Sequence, residues 1–143
     1  MIFRLSINLA GECLWPNKLL AELEGEFIIA SSCNPGETVK FGAVSVVSAY
    51  GALSLWHHQR FASQHETIEY EEWFIEFIEA NYGRFIASGA ETVEILTEVF
   101  YDGQQCNFAI FDKSLLKRLF RYEISLPVSI YVLSDSDLAD LVK

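Results

Sequence analysis

The hydrophobic period of this chain changes abruptly near residue 90. Before it, Tyr70, Trp73, Phe74, Phe77, Ile78 and Phe85 recur at helical spacing, with Glu69, Glu72, Glu76 and Glu79 on the other side. From Glu91 to Tyr101 the pattern alternates residue by residue. Val93, Ile95, Thr97, Val99 and Tyr101 fall on one face, and Thr92, Glu94, Leu96, Glu98 and Phe100 on the other. A helical period followed by a period of two calls for a helix laid against a sheet, because each element has an apolar side to hide. Gly83 and Gly89 mark the fraying end of the helix.

The rest of the chain supplies the remaining strands. Phe3, Leu5, Ile7 and Leu9 alternate with Arg4, Ser6 and Asn8, and Gly11 ends the run. Pro16 suits a first helical turn, Leu19, Leu20 and Leu23 give a short helix its stripe, and Gly25 can terminate it. Phe27 to Ala30 reads as a brief strand, and Ser31 to Thr38, around Asn34-Pro35-Gly36, as a loop. Phe41 to Ser48 and Ala52 to His58 flank Tyr50-Gly51 and predict a hairpin. Ser63-Gln64-His65-Glu66 has capping-box spacing and predicts the start of the long helix. Asp102-Gly103 predicts a second hairpin, returning through Cys106 to Ile110. Asp112 caps a helix with Leu115, Leu116, Leu119 and Phe120 inward and Lys113, Lys117, Arg118 and Arg121 outward. Ser125 to Leu133 is a late strand that Pro127 places at an edge, and Ser134 caps a short acidic tail helix. Strands joined by tight turns predict a single α+β domain over residues 1–143, a mostly antiparallel sheet with two or three packed helices.

Composition narrows the functional classes. The chain has 143 residues, 51% of them apolar and 14% aromatic, which is ample for one core without disulfide staples. No apolar run approaches the ~20 residues that cross a bilayer. Met1-Ile2-Phe3-Arg4-Leu5-Ser6 lacks the basic region of a signal peptide, so the expected location is the cytoplasm. Cys13, Cys33 and Cys106 are odd in number and widely spaced, and read as small buried apolar residues. Twenty acidic against ten basic residues give a net charge of −10. Such a surface repels nucleic-acid phosphates and anionic membranes and steers cationic partners inward.

Chemistry-bearing motifs are scarce. The glycine-rich nucleotide loops and the serine nucleophile elbow are absent. His65-Glu66-Thr67-Ile68-Glu69 has the spacing of a zinc helix, but Glu69 stands where the second histidine belongs, and the stretch reads as a helix start. His57-His58 falls in an expected strand, where the two rings would point to opposite faces. Trp15, Trp56 and Trp73 read as core, with Trp56 beside the histidines the one that could line a pocket. No catalytic residue, metal site or cofactor is expected. The most functional-looking surface is the stripe Glu69, Glu72, Glu76, Glu79, which could dock on a basic cleft.

Several stretches carry a resemblance. They are the strand Phe3-Arg4-Leu5-Ser6-Ile7, the glycine and proline leading into a short helix, Leu53-Ser54-Leu55-Trp56, and the aromatic helix after it. Lys113-Ser114-Leu115-Leu116 and Ile124-Ser125-Leu126-Pro127-Val128-Ser129-Ile130-Tyr131 complete the pattern. On these the chain resembles the small bacterial proteins grouped as domain of unknown function 4279, with Trp15 standing where the family's usual acidic residue precedes the first proline. The resemblance implies a compact bacterial α+β domain of the kind suspected in toxin–immunity loci, and it supplies no catalytic residues. The expectation is a non-catalytic immunity protein that blocks a cognate toxin, such as a nuclease, through its acidic surface. The alternative is a small-molecule-binding or enzymatic domain with a pocket near Trp56, His57 and His58.

Overall fold

A computed structural model describes residues 1–63, 66–103 and 105–143 of the chain. Its main sheet is built on β1 (Ile2–Gly11), which pairs antiparallel with β7 (Thr92–Tyr101) along one side. On the other side β1 pairs antiparallel with β5 (Gly51–Trp56) and, at its start, with β6 (Ala62–Ser63). β2 (Ile28–Cys33) adds antiparallel to β5, and β8 (Val128–Val132) adds parallel to β7, giving the order β2-β5-β1-β7-β8. The fold is thus α+β, with a mostly antiparallel sheet. Four helices accompany it among the described residues: α1 (Pro16–Leu20), α2 (Thr67–Ala87), α3 (Lys113–Leu119) and α4 (Asp135–Leu141).

The alternation read from β1 and β7 decides which face the helices cover. Leu5, Ile7 and Leu9 lie in register with Thr97, Ile95 and Val93, and Ile7 and Leu9 with Leu55 and Leu53. These side chains form one core with Leu14 and Leu19, with Tyr70, Phe74, Phe77, Ile78 and Phe85 of α2, and with Leu115 and Leu119 of α3. Burying an aliphatic or aromatic side chain of this size contributes roughly 1.5–3 kcal/mol, so the α2 stripe is the main anchor of the helical layer. Two glycines let the chain close: a Cβ on Gly51 would lie 1.9 Å from the Leu14 carbonyl oxygen, and one on Gly11 2.1 Å from that of Gly89. α3 is set by Asp112, whose carboxylate accepts from Ser114 N and Leu115 N. Just before it, the buried Phe111 stands at φ +59°, and its N–H donates to the buried Glu71 carboxylate at 2.9 Å. Burial pushes the Glu71 carboxyl pKa up.

Several expectations are corrected. Residues 41–48 and 52–58 do not pair. The hairpin is β3 (Thr38–Phe41) with β4 (Val44–Val47), turning at Gly42 with φ +59°, and it stands apart as a two-stranded sheet. β5 instead enters the centre of the main sheet. Asp102-Gly103 opens no hairpin: residues 105–112 form no strand, and β7 takes β8 as its neighbour. The helix begins at Thr67, after Ser63 has ended β6; Gln64 and His65, on which the capping box and the zinc-like spacing rest, lie outside the described residues. Leu116 and Phe120 are exposed rather than inward, and so are Trp15 and Cys13.

The side of β1 that meets β5 and β6 is interrupted. Trp56 is opposite Ser6 and Ala62 is opposite Phe3, so residues 57–61 leave the sheet while β1 advances by only Arg4 and Leu5. The Leu5 N–H left without a strand donates to the Tyr70 hydroxyl at 3.1 Å, and that hydroxyl donates to the Arg60 carbonyl at 3.2 Å. Burial pushes the Tyr70 pKa up to about 12, so the hydroxyl keeps its proton. Tyr70→Phe leaves a buried N–H unpaired and frees Arg60, and should cost about 1–3 kcal/mol. Urea denaturation measures it; an unchanged midpoint would show that the hydroxyl does not hold the gap.

Candidate functional site

Residues 57–59 and the first turns of α2 face each other across a cleft of about 770 Å³. His57, His58 and Gln59 line one wall, and Glu66, Ile68, Glu69, Tyr70, Glu72, Trp73 and Glu76 the other. The cleft exists because the chain leaves the sheet after Trp56 and Tyr70 pins the excursion from beneath.

The first wall is set by His57, whose residue is only 8% exposed. Its ring meets Trp73 edge-on at 4.8 Å and Tyr70 at 5.5 Å. The Gln59 main chain meets its Nδ1 with both groups, the N–H at 3.1 Å and the carbonyl oxygen at 3.3 Å, so either tautomer of the ring finds a partner there. Among the described residues Nε2 has no hydrogen-bond partner. Burial, and then the neighbouring imidazole of His58, hold the His57 pKa below the ordinary histidine value. The two rings lie with centroids 3.8 Å apart. The expectation that they point to opposite faces fails because β5 ends at Trp56, and strand alternation ends with it.

The second wall carries charge. Of the stripe Glu69, Glu72, Glu76, Glu79, the first three line the cleft and Glu79 lies beyond it. The stripe is also partly neutralised from within. Arg118 of α3 donates through Nε and Nη2 to Glu79 at 2.9 and 2.6 Å, and through Nη1 to Glu72 at 3.3 Å. The guanidinium's hydrogen bonds hold the Glu79 carboxyl below its usual range. Arg118 was expected to face solvent, and only tertiary packing of α3 on α2 brings it to these acids. Glu69 and Glu76 remain as carboxylates with no ion pair among the described residues.

The indole in the cleft is Trp73, not Trp56. Trp73 is half-buried, stacks on Phe77 at 5.0 Å, and also borders a second depression of about 300 Å³ with Glu24 and Glu76. Trp56 alternates with Leu55 and so lies on the opposite face of the sheet. There it sits between the guanidinium groups of Arg4, at 4.8 Å, and Arg60, at 5.4 Å. Arg4 is held in turn by a bidentate pair with Glu98, at 2.6 and 3.0 Å. Sequence reading missed Gln59, Glu66 and Trp73 as cleft residues. The available signal was the polar run His57-His58-Gln59-Arg60 between two stretches of strand character.

Chemically, the cleft combines acceptors (the carboxylates), the imidazole of His57 and an aromatic platform. It can hold an ammonium or guanidinium beside the indole. Among the described residues, no three His, Cys, Asp or Glu side chains are placed to hold a metal ion. No family model, curated protein or solved structure matches this chain, so the resemblance rests on the residues quoted for it alone.

Because the His57 pKa is depressed in the folded state, the unfolded chain takes up the proton more readily. The stability this imidazole contributes is complete above its ordinary pKa of about 6.5 and is lost as pH falls through the folded value. His57→Gln should flatten the fall in the denaturation midpoint between neutral pH and pH about 5. A variant with the same slope as the parent would assign that slope to other groups.

Proposed function

We propose that this chain is a non-catalytic binding protein of the cytoplasm whose cleft receives a basic segment of a protein partner, and that it acts as an immunity protein blocking a cognate toxin. The observation that carries the reading is the pair Glu69 and Glu76 beside Trp73, carboxylates without an ion-pair partner among the described residues, in a concave, half-apolar setting. The charge of −10 supports it, because a partner with a basic surface is drawn in from a distance. Inhibition would then be by occlusion: a basic loop that enters the cleft is no longer available to its own substrate.

Magnitudes divide the work between residues. An exposed ion pair contributes at most about 1 kcal/mol, less than a factor of ten in affinity. Glu69 and Glu76 therefore govern encounter rate and orientation, while contact with Trp73 and Ile68 holds the partner. The alternative of a small-molecule site has one observation in its favour, since about 770 Å³ lies within the range of ligand pockets. That pocket would use His57, His58 and Trp73, and the occupant would be a small cation. A thermal-shift screen with small organic cations separates the readings, because only a small-molecule site gives a concentration-dependent rise in Tm.

The test of the main reading uses two variants of equal net charge: Glu69→Lys with Glu76→Lys, and Glu22→Lys with Glu123→Lys at exposed positions elsewhere. Association is measured against a lysine- and arginine-rich peptide. The cleft variant should associate roughly tenfold or more slowly, and the control should lose much less. Equal losses would mean that total charge, not the cleft, steers the partner.

A further inference from the structure

We infer that the outer edge of β8 is a pairing surface for a second copy of this chain, joining two main sheets into one across a twofold axis at Ile130. β8 is the last strand of the sheet, and its hydrogen bonds to β7 fix which of its groups point outward. Thr97 N donates to the Pro127 carbonyl and Leu133 N to the Tyr101 carbonyl, so the odd-numbered residues face β7. In a regular strand the groups alternate, so the N–H and C=O of Val128, Ile130 and Val132 face away from the sheet. Their side chains are 52%, 54% and 65% exposed. Edge strands are ordinarily blunted by charge, proline or a bulge. Here Pro127 lies outside the outward triad, and no charged residue occurs from Ile124 to Ser134.

Two features favour a second copy. The edge is self-complementary: in antiparallel pairing about Ile130, Val128 meets the other copy's Val132, Ile130 meets its own counterpart, and each pair exchanges two main-chain hydrogen bonds. Charge permits pairing at this edge. Two bodies carrying −10 each repel wherever carboxylates face one another, and β8 offers an exposed edge where no carboxylates meet. The cleft lies on the far side of β1, so partner binding and pairing are independent. They also respond oppositely to salt: screening weakens a cation in the cleft and strengthens contact between like-charged copies.

Sedimentation across a wide range of protein concentration tests this. The parent should pass from one to two chain masses, with the transition moving to lower concentration as salt is added. Ile130→Lys sets two ammonium groups opposite each other and should raise the dimer Kd at least about tenfold. Ile130→Pro removes only an outward donor and should do the same, with circular dichroism confirming the fold of both variants. A parent that stays monomeric at every concentration and salt overturns the inference, as does a dimer that both variants leave intact. A monomeric parent whose binding to a basic partner is weakened by Ile130→Lys would mean that the edge takes a strand of that partner, which equally overturns it.

Discussion

The Tyr70 hydroxyl occupies a place where a strand is missing. β1 is paired continuously with β7 on one side, but on the other its partner departs after Trp56 and returns only at Ala62. An interrupted ladder in the interior leaves a main-chain N–H with nowhere to go, and such a group costs about 1–3 kcal/mol if unsatisfied. Tyr70 accepts from the Leu5 N–H and donates its own O–H to the Arg60 carbonyl, so one phenol ties the central strand, the excursion and the long helix together. The cleft follows from that tie. His57 is pressed against Tyr70 and Trp73, the Gln59 main chain holds its Nδ1, and the first turns of α2 supply the opposing acids.

The two sides of the sheet then have different work. The helical side is a conventional apolar core. The opposite side carries a polar lattice in which Arg4 is clamped by Glu98 and stacked on Trp56, and Ser54 and Asn8 connect on to Glu94. Charge is likewise sorted. Arg118 satisfies part of the α2 stripe internally, so the outward character of the helix is concentrated at Glu69 and Glu76. The longest reach of the −10 charge is therefore steering, and its local expression is narrow.

What the sequence made legible were the features that depend on local periodicity. The α2 stripe, the two faces of β7, the Asp112 and Ser134 caps and the edge position of β8 could each be read from a few neighbouring residues. What escaped were features decided by distant partners. Val44 to Val47 was expected to pair with residues 52–58, but among the described residues it pairs with β3 alone and is exposed, and the main sheet takes β5 instead. The rings of His57 and His58 lie against each other because β5 ends at Trp56, a stop marked only by the polarity of the run His57-His58-Gln59-Arg60. Trp73 packs on the core as expected but also lines the cleft, while Trp56 lies on the other face of the sheet beside Arg4 and Arg60. The acidic stripe was visible as a pattern, but its neutralisation at Glu72 and Glu79 required α3 to be placed.

If a basic partner docks in the cleft beside Tyr70, chemical-shift mapping during titration with a lysine- and arginine-rich peptide gives perturbations gathered at His57 to Gln59, Glu69 to Glu76 and the Trp73 indole N–H, shrinking as salt is added. Perturbations spread evenly over the acidic surface, or centred on β8 or the β3–β4 hairpin, would contradict docking there.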